Sequence, residues 1–281
     1  MNIINKIEEM QKFSAQIKKS GKTIALVPTM GYLHEGHISL VRIAQKVCDA
    51  TIVSIFVNPA QFGPSEDLNS YPRDLEKDCA LLKKEGVETI FTPTPKELYP
   101  AGYQTYVNAL HLSEHLCGIS RPALFKGVTT VLTKLFNIVS PNKAVFGKKD
   151  FQQFVIVCQM IKDLNFNIEI IGAPIVREAD GLAMSSRNAY LKKNQRKPAL
   201  SLYKALKQSE QLVKKGEKRA ETIIGAALKL INSFDETLID YISICNLETF
   251  EEVKIIDCPV LMALAVKVGK TRLIDNIILS P

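Results

Sequence analysis

The stretch VPTMGYLHEGH, residues 27–37, is the most informative part of this sequence. Residues 23–27 form an apolar run typical of a buried strand, and apolar side chains recur after the stretch at the helical period, at Ile38, Leu40, Val41, Ala44 and Val47. His34 and His37 therefore lie where a strand passes into the N-terminus of a helix. Free backbone N–H groups and the helix dipole attract phosphate at such a position. The stretch thus predicts a nucleotide-binding loop.

Two other interpretations of the histidines stay open from these residues alone. In the first, the imidazoles only hydrogen-bond to the backbone of a packed turn. In the second they bind zinc, with His111 and His115 as further ligands at i, i+4 spacing. No cysteine or acidic cluster accompanies these histidines, so the nucleotide interpretation is favoured over zinc.

The composition is that of an ordinary globular protein. Of 281 residues, 46% are hydrophobic and 23% are charged. No apolar run reaches membrane-spanning length and no signal-peptide pattern is present, so we expect a cytoplasmic protein without membrane contact. The net charge of +7 is spread along the chain without a long basic block, so it suits an anionic small substrate as well as RNA, and a solvated surface is enough to account for it. We expect no nucleic-acid partner. The six cysteines form no C-x-x-C pair, which predicts free thiols.

Apolar runs rich in β-branched residues alternate with amphipathic stretches through the first two thirds of the chain. We predict strands at residues 23–27, 50–57, 88–91, 143–146 and 167–176, and helices at residues 4–19, 36–48, 73–85, 125–139 and 150–164. This alternation predicts an α/β fold with a Rossmann-like, mainly parallel sheet covered by helices on both faces.

The pattern changes after Asn188, where the hydrophilic run at residues 192–198 precedes a different arrangement. Helices are predicted near residues 199–214 and 221–231, followed by strands near 240–246, 261–268 and 271–279. We therefore expect a Rossmann-like nucleotide-binding domain at residues 1–188 and a smaller α+β domain at residues 189–281.

Four polar loops follow predicted strands, at residues 28–37, 58–64, 147–150 and 177–187. Ligands of parallel sheets bind at the carboxyl ends of the strands, so these loops are predicted to converge on one edge. The last loop contains Ser185, Ser186 and Arg187. Two hydroxyls beside a guanidinium can hold phosphate oxygens.

The histidine–glycine loop and the Ser-Ser-Arg stretch together resemble the HIGH and KMSKS signatures of nucleotidyl-transferring α/β enzymes. More specifically, the chain resembles the family of pantoate–β-alanine ligases, the pantothenate synthetases. The resemblance extends from the first predicted strand to the last. The matching stretches are VPTMGYLHEGH (27–37), FVNPAQFGP (56–64), YPR (71–73), VFGKKDFQQ (145–153), PIVREADGLAMSSRNAY (174–190) and TRLIDN (271–276).

The resemblance implies a ligase that uses ATP and Mg²⁺ to condense (R)-pantoate with β-alanine, within coenzyme A biosynthesis. The pantoate carboxylate attacks the α-phosphorus of ATP to give pantoyl adenylate and diphosphate, and the β-alanine amine then displaces AMP. Both nucleophiles are competent once positioned, so the protein need only orient them and neutralise charge. The family also implies a homodimer and a C-terminal domain that acts as a lid.

The resemblance also assigns site residues. His34 and His37 would contact the ATP phosphates, with His37 as proton donor or as a neutral hydrogen-bond donor. Lys149, Ser185, Ser186 and Arg187 would join them in catalysis. The further implied nucleotide contacts are Met30, Gly31, Gly147, Asp150, Val176 and Met184.

For pantoate the resemblance points to Gln61 and Gln153, with Met30 and Asn58 beside them. Asp78 is assigned as a ligand of Mg²⁺, an ion that keeps several waters and uses few protein carboxylates. Two positions depart from the family pattern. Leu124 stands where a histidine is common, and Lys148 stands where an acidic residue often precedes the Lys-Asp pair. We expect Lys148 to face solvent.

Two alternative functions stay open. One is another carboxylate-adenylating or nucleotidyl-transferring enzyme, such as a relative of the tRNA synthetases. The chain has no evident basic RNA-binding face, which argues against a tRNA synthetase. The other is a noncatalytic nucleotide-binding module. The joint presence of His34, His37, Lys149 and residues 185–187 favours catalysis.

Overall fold

The computed structural model describes residues 1–281 and divides them into two compact units. Each unit contains its own β-sheet. The first comprises Met1–Leu110, Arg121–Lys148 and Gln153–Pro174, and the second comprises His111–Ser120, Lys149–Gln152 and Ile175–Pro281.

A six-stranded sheet, parallel throughout, is the frame of the first unit. Its strands follow the order β1-β4-β3-β2-β5-β6. The chain therefore runs outward on one side of β2 and then returns to its other side, which makes the end of β2 a topological switch point. The strands are β1 (Asn2–Ile4), β2 (Ile24–Thr29), β3 (Ala50–Ile55), β4 (Thr89–Phe91), β5 (Lys143–Gly147) and β6 (Glu169–Ala173).

Helices connect the parallel strands, as βαβ units require. Before residue 175 they are α1 (Ile7–Lys19), α2 (Glu35–Val47), α3 (Leu75–Lys84), α4 (Pro95–Leu98), α5 (Cys117–Ser120), α6 (Leu124–Val139) and α7 (Phe151–Asp163). The predicted α/β fold is thus confirmed. No helix of the chain is both long enough and apolar enough to cross a membrane.

Helix α2 is fixed by an apolar core that it shares with the sheet. Ile38, Val41 and Ala44 on one helix face are buried in one cluster with Val27 of β2 and Val145 of β5. Fully burying a side chain the size of Val or Ile contributes about 1.5–3 kcal/mol. These contacts therefore hold the start of α2 against the switch point of the sheet.

The second unit combines a three-stranded antiparallel sheet with two helices. Its apolar core joins Leu202 and Leu206 of one helix and Ile223 of the other to Leu264 and Val266 of the sheet. The elements are α8 (Arg196–Lys214), α9 (Ala220–Ile231), β7 (Thr237–Cys245), β8 (Val260–Val268) and β9 (Thr271–Leu279).

The first strand differs from the sequence prediction. The helix was predicted to begin at residue 4, but Asn2–Ile4 form β1 and α1 begins at Ile7. Residues 2–4 pair in parallel with Thr89–Phe91 of β4. Backbone pairing to a strand far along the chain therefore overrides the local helical pattern.

The division into units also differs from the predicted boundary at residue 188. The segment after β6 belongs to the second unit from Ile175 onward. Its anchor is Arg177, whose guanidinium forms two hydrogen bonds with the carboxylate of Asp275 on β9, at 2.6 and 2.9 Å. Leu182 lies in the apolar core of the same unit. The segment thus folds with residues about one hundred positions away.

Candidate active site

The loop after β2 is held by backbone hydrogen bonds to a buried carboxylate. Asp78 of α3 accepts the N–H of Tyr32 at 2.8 Å and that of Leu33 at 2.7 Å. Gly31 has φ +83°, and a Cβ there would lie 3.0 Å from both Asp78 Oδ2 and Ile55 Cγ2. A side chain at position 31 would therefore be strained by the backbone conformation and crowded against both atoms.

His34 and His37 cap α2 together. His34 is the N-cap residue, and its Nδ1 accepts the N–H of Gly36 at 3.2 Å. Nδ1 of His37 accepts the N–H of His34 at 3.3 Å, which completes a reciprocal capping box. The ring centroids lie 4.1 Å apart. The backbone contacts expected of a packed turn are therefore present, and each is made by the Nδ1 atom of its ring.

The capping bonds fix the tautomer of both rings. A neutral imidazole has one N–H donor and one bare acceptor nitrogen. Because Nδ1 is the acceptor in each ring, the proton of the neutral form lies on Nε2. His34 and His37 therefore each carry an Nε2–H donor at the N-terminus of α2, where the helix dipole favours an anion.

A buried amide network follows β3. The Asn58 Nδ2 donates to Gln61 Oε1 at 3.1 Å and to Gly127 O at 3.0 Å, while its Oδ1 accepts from Tyr99 Oη at 2.9 Å and from Ala60 N at 3.3 Å. All four hydrogen-bonding positions of this amide are thus used within the protein. The side chain of Asn58 therefore holds the amide of Gln61 in place.

Gln61 itself keeps bonding capacity. Its Oε1 accepts from Asn58, and its Nε2 lies 3.0 Å from the sulfur of Met30. A thioether is a weak acceptor, so the amide N–H groups of Gln61 are held next to the loop after β2 with donors still to offer. Gln61 and Met30, both predicted as pantoate contacts, are therefore in direct contact with each other.

Two further predicted residues belong to the first unit. Gly147 is the last residue of β5 and pairs with Ala173 of β6, and Gln153 lies half-buried in the first turn of α7. The expectation that Lys148 faces solvent is wrong. Its side chain is half-buried, with the ammonium 5.7 Å from the centroid of the Phe154 ring.

Lys149 and Ser185 line one pocket of the second unit, together with Asn188 and Asp275. Lys149 lies in the 3₁₀ turn Lys148–Asp150, and its ammonium is 3.7 Å from the exposed carboxylate of Asp150. The structure therefore brings together two predicted phosphate contacts that are 36 positions apart.

The loop that carries the two serines is a compact hairpin. Arg177 bridges to Ala183, and the Met184 N–H donates to Val176 O at 3.0 Å. This bond places the predicted adenine contacts Val176 and Met184 side by side. A 3₁₀ turn, Ser186–Tyr190, follows, and Ser185 caps it by accepting the N–H of Arg187 at 3.3 Å.

The zinc interpretation finds no ligand set in the structure. The His111 side chain is 91% exposed and lies 3.9 Å from Glu114. No group of three or more His, Cys, Asp or Glu side chains is placed to hold a metal ion. All six cysteines are free.

The divergent position Leu124 is accommodated as an apolar residue. It begins α6 and is 8% exposed. Nearby Arg121 is bound by Glu66, with Nε to Oε2 at 3.0 Å, and it donates to Gln61 O at 3.4 Å. Arg121 therefore keeps a defined position without a histidine at residue 124.

Sequence reasoning missed several residues that support the site. It gave no role to Asp275 and Asn276 or to Tyr99 and Gly127. A signal was present for the first pair, because two consecutive polar residues interrupt the apolar strand TRLIDNIIL and both are buried. No comparable local signal marks Tyr99 or Gly127.

These features define the class of protein. A parallel sheet whose switch point carries two histidines at a helix N-terminus is the arrangement of a Rossmann-like nucleotide-binding protein of the nucleotidyl-transferase type.

The comparisons with known proteins give the family. The family model described as pantoate-beta-alanine ligase matches residues 2–278. The pantothenate synthetase of Thermotoga petrophila is 56% identical over 99% of this chain and 100% of its own length. That of Desulfatibacillum aliphaticivorans is 53% identical over 100% of both chains. The chain belongs to the pantoate–β-alanine ligase family.

Solved structures agree with this assignment. A crystal structure of the pantothenate synthetase from Thermus thermophilus superposes with a TM-score of 0.95, at 39% identity and full coverage of both chains. The pantoate-beta-alanine ligase from Francisella tularensis, crystallised with beta-gamma ATP and beta-alanine, gives a TM-score of 0.82 at 33% identity, covering 99% of this chain and 97% of that one.

Proposed function

We propose that this protein condenses pantoate with β-alanine in a reaction driven by ATP, releasing pantothenate, AMP and diphosphate. The observation that carries the proposal is the capped loop after β2. It places His34 and His37 at a helix N-terminus, each capping the helix through Nδ1, in a chain that matches the ligase family from residue 2 to residue 278.

The reaction needs two displacements. In the first, a carboxylate oxygen of pantoate bonds to the α-phosphorus of ATP while the bond to the leaving diphosphate breaks. In the second, the β-alanine amine bonds to the carbonyl carbon of the acyl adenylate, loses a proton, and expels AMP. Negative charge builds on phosphate oxygens in the first step, so fixed donors directed at those oxygens lower the barrier.

His34 and His37 supply such donors in the first unit. Protonating either Nδ1 would break the capping bond that it accepts, so each ring acts best as a neutral donor through Nε2. This favours a stabilising role of His37 toward phosphate over release of a proton. Met30 and Gly31 bring the backbone of the same loop close to the nucleotide, and Gly147 does so at the end of β5.

Pantoate is assigned to Gln61 and Gln153. Their amides can donate to a carboxylate and exchange hydrogen bonds with hydroxyls. Asn58 is assigned to orient Gln61, because its own bonding capacity is filled.

The second unit supplies further charge and hydroxyl groups for the nucleotide. Lys149, Ser185, Ser186 and Arg187 are assigned to phosphate oxygens, with Arg187 able to form paired hydrogen bonds. Asp150, which is exposed, is assigned to the ribose hydroxyls, and Val176 and Met184 to the adenine.

We propose that Mg²⁺ binds together with ATP and not at a separate protein site. The chain has no cluster of three acidic or histidine ligands that fits a resident ion, and Mg²⁺ is readily held by phosphates, waters and one carboxylate. Asp78 is the proposed carboxylate. Both of its oxygens already accept backbone N–H groups, so its role in holding the loop does not depend on the ion.

Substrate dependence tests the proposed function. We expect AMP release only when ATP, pantoate and β-alanine are all present. We also expect exchange of labelled diphosphate into ATP that requires pantoate and no amino acid. Exchange driven by another carboxylate would point to a different adenylating enzyme, and ATP binding without AMP formation would point to a noncatalytic module.

Three further properties are part of the proposal, two of them implied by the family and the location by the sequence pattern. They are a homodimer, a cytoplasmic location and a lid role for the smaller unit. Scattering with and without ATP tests the oligomer and the lid. An unchanged profile would contradict the lid.

A further inference from the structure

Two consecutive residues of β9 are polar and buried in the middle of an apolar strand. Asp275 is 3% exposed and Asn276 is 7% exposed. Burying a carboxylate and an amide is costly unless each is fully engaged by partners. The partners of this pair are therefore informative, and they lie on two segments that the proposed function uses for the nucleotide.

Asp275 holds the loop at residues 177–188. Its Oδ2 accepts from Arg177 Nη1 at 2.6 Å and its Oδ1 from Arg177 Nη2 at 2.9 Å, a two-point geometry that fixes the guanidinium plane. The same Nη1 donates to Gly181 O at 3.1 Å. The Arg177 guanidinium also lies 4.5 Å from the centroid of the Tyr203 ring. The hairpin is thus tied to β9 at its base.

Asn276 holds the other segment. Its Nδ2 donates to the backbone oxygen of Lys149 at 2.8 Å. This bond fixes the main chain of the residue whose ammonium is assigned to phosphate. Successive strand residues point to opposite faces, so neighbouring positions of one strand can reach two different segments.

The two anchored segments meet at a single pocket. Lys149 and Ser185 line it together with Asp275. Asp275 and Asn276 are covalently adjacent, so the segments that they hold cannot shift independently. The main chain of Lys149 and the base of the serine loop are therefore both tied to β9.

We propose that Asp275 and Asn276 are positioning residues for ATP, which keep Lys149 and the serine loop at the spacing that a polyphosphate chain requires. The inference rests on the proposed function for the identity of the ligand. The proposal gives the TRLIDN stretch of β9 a role in ATP binding. Asp275 and Asn276 act through the segments that they hold and do not touch substrate themselves.

The kinetic test uses two variants of unchanged size, Asp275→Asn and Asn276→Asp. The first removes the charge that faces Arg177, and the second replaces the donor to Lys149 O with an acceptor. From the loss of one buried hydrogen bond we expect the KM for ATP to rise by roughly tenfold, with the larger rise in Asp275→Asn. The KM for pantoate should change less than twofold, because Gln61 and Gln153 belong to the first unit.

Asp240→Asn is the matched control. Asp240 of β7 accepts from Arg272 of β9, with Nε to Oδ2 at 3.0 Å and Nη2 to Oδ2 at 2.6 Å. Arg272 shares no bonded partner with Lys149 or with the loop at residues 177–188 in this network. We expect this variant to lose stability while keeping the KM for ATP. Equal rises in the KM for ATP and pantoate in the β9 variants, or an equal rise in the control, would overturn the proposal.

Hydrogen exchange separates this inference from the proposed function. Without any substrate, amide exchange at residues 183–188 should quicken in Asp275→Asn while the core of α8 stays protected. Unchanged exchange of the loop overturns the inference even if the wild type is an active ligase. If the wild type releases no AMP, calorimetric titration with ATP still decides it, since the β9 variants should bind more weakly than Asp240→Asn.

Discussion

The side chain of His37 accepts a hydrogen bond from the backbone of His34, with Nδ1 3.3 Å from the amide nitrogen. The bond makes His37 part of the helix cap and at the same time places the proton of the neutral ring on Nε2, from which it can be donated to a ligand. The capping role of the imidazole and the role proposed for it toward phosphate therefore belong to different nitrogens of the ring.

The variant His37→Asn tests this division. The Asn Oδ1 can replace Nδ1 as the cap acceptor, but nothing replaces Nε2–H. We expect the thermal midpoint to stay within a few degrees of wild type, whereas kcat for AMP release falls by about 10²–10³-fold, the range for removing one donor to a developing negative charge. Wild-type turnover in a folded His37→Asn protein would contradict the donor role.

His37→Gln is the complementary variant. Its longer side chain carries an N–H near the position of Nε2 but no acceptor near Nδ1. We therefore expect more residual activity and lower stability than for His37→Asn. The reverse order in both measurements would show that the nitrogens have been assigned the wrong way round.

The buried carboxylate of Asp78 should make the free energy of unfolding depend on pH. Burial, opposed by hydrogen bonds from Leu33 and Tyr32, raises its pKa above the ordinary value of 3.8. The folded state therefore holds the proton more tightly than the unfolded state. Stability gained from this group is present below pH 3.8 and is lost as the pH rises through the raised pKa.

Asp78→Asn removes that titration. As the pH is raised from 3.8 to neutrality, we expect the free energy of unfolding of Asp78→Asn to decrease less than that of the wild type. The absolute stability of the variant should be lower at every pH, because an amide nitrogen replaces an acceptor of the loop. Urea unfolding measured at several pH values gives both quantities, and identical pH slopes would contradict the raised pKa.

The sheet was predictable because strands buried on both faces form continuous apolar runs. The strand IALVPT of β2 is buried over its first four residues, and the predicted run at residues 23–27 captures most of it. β1 was not predictable in this way. Residues 2–4 are too few to show a strand pattern, the helical pattern was predicted to begin at residue 4, and only pairing with β4 makes these residues a strand.

The candidate site residues could be proposed from the sequence, whereas the residues that support them could not. The loop after β2 combines glycine, histidine and a helix start within a few positions, so its chemistry is local. The anchor of the serine loop is not local, since Arg177 and Asp275 are 98 positions apart. For the same reason the boundary between the units could not be located from the change in composition near residue 188.

Tyr99 supports Gln61, the proposed pantoate contact, through Asn58. Its hydroxyl donates to Asn58 Oδ1 at 2.9 Å, and burial raises its pKa, so the hydroxyl keeps its proton at neutral pH. In Tyr99→Phe we expect the KM for pantoate to rise about threefold to tenfold, as for the loss of one buried hydrogen bond, and the KM for ATP to stay unchanged. Steady-state kinetics with each substrate varied in turn makes the measurement.

Tyr103→Phe is the control for the aromatic contacts of the Tyr99 ring. Tyr103 stacks edge-on against Tyr99 with ring centroids 5.0 Å apart. Removing its hydroxyl keeps this aromatic contact and leaves the bond to Asn58 in place. An equal effect of both variants on the KM for pantoate would show that the aromatic cluster, and not the hydrogen bond, supports Gln61.

Gly127 of α6 lets the helix approach the turn that carries Gln61. A Cβ at this position would lie 2.3 Å from Ala60 O and 2.5 Å from the Cα of Gln61, both backbone atoms. In Gly127→Ala the turn must move, which we expect to lower the free energy of unfolding by about 1–3 kcal/mol, the usual cost of overpacking. The displaced Gln61 should also raise the KM for pantoate.

Gly225→Ala is the matched control, because Gly225 lies within helix α9 and a Cβ there meets no atom within 4 Å. This variant should gain about 0.5–1 kcal/mol, since alanine loses less backbone entropy than glycine in a helix. Urea unfolding of both variants gives the comparison. A Gly127→Ala protein as stable as wild type, with an unchanged KM for pantoate, would contradict this role of the contact. The close approach of α6 to the turn would then not position Gln61.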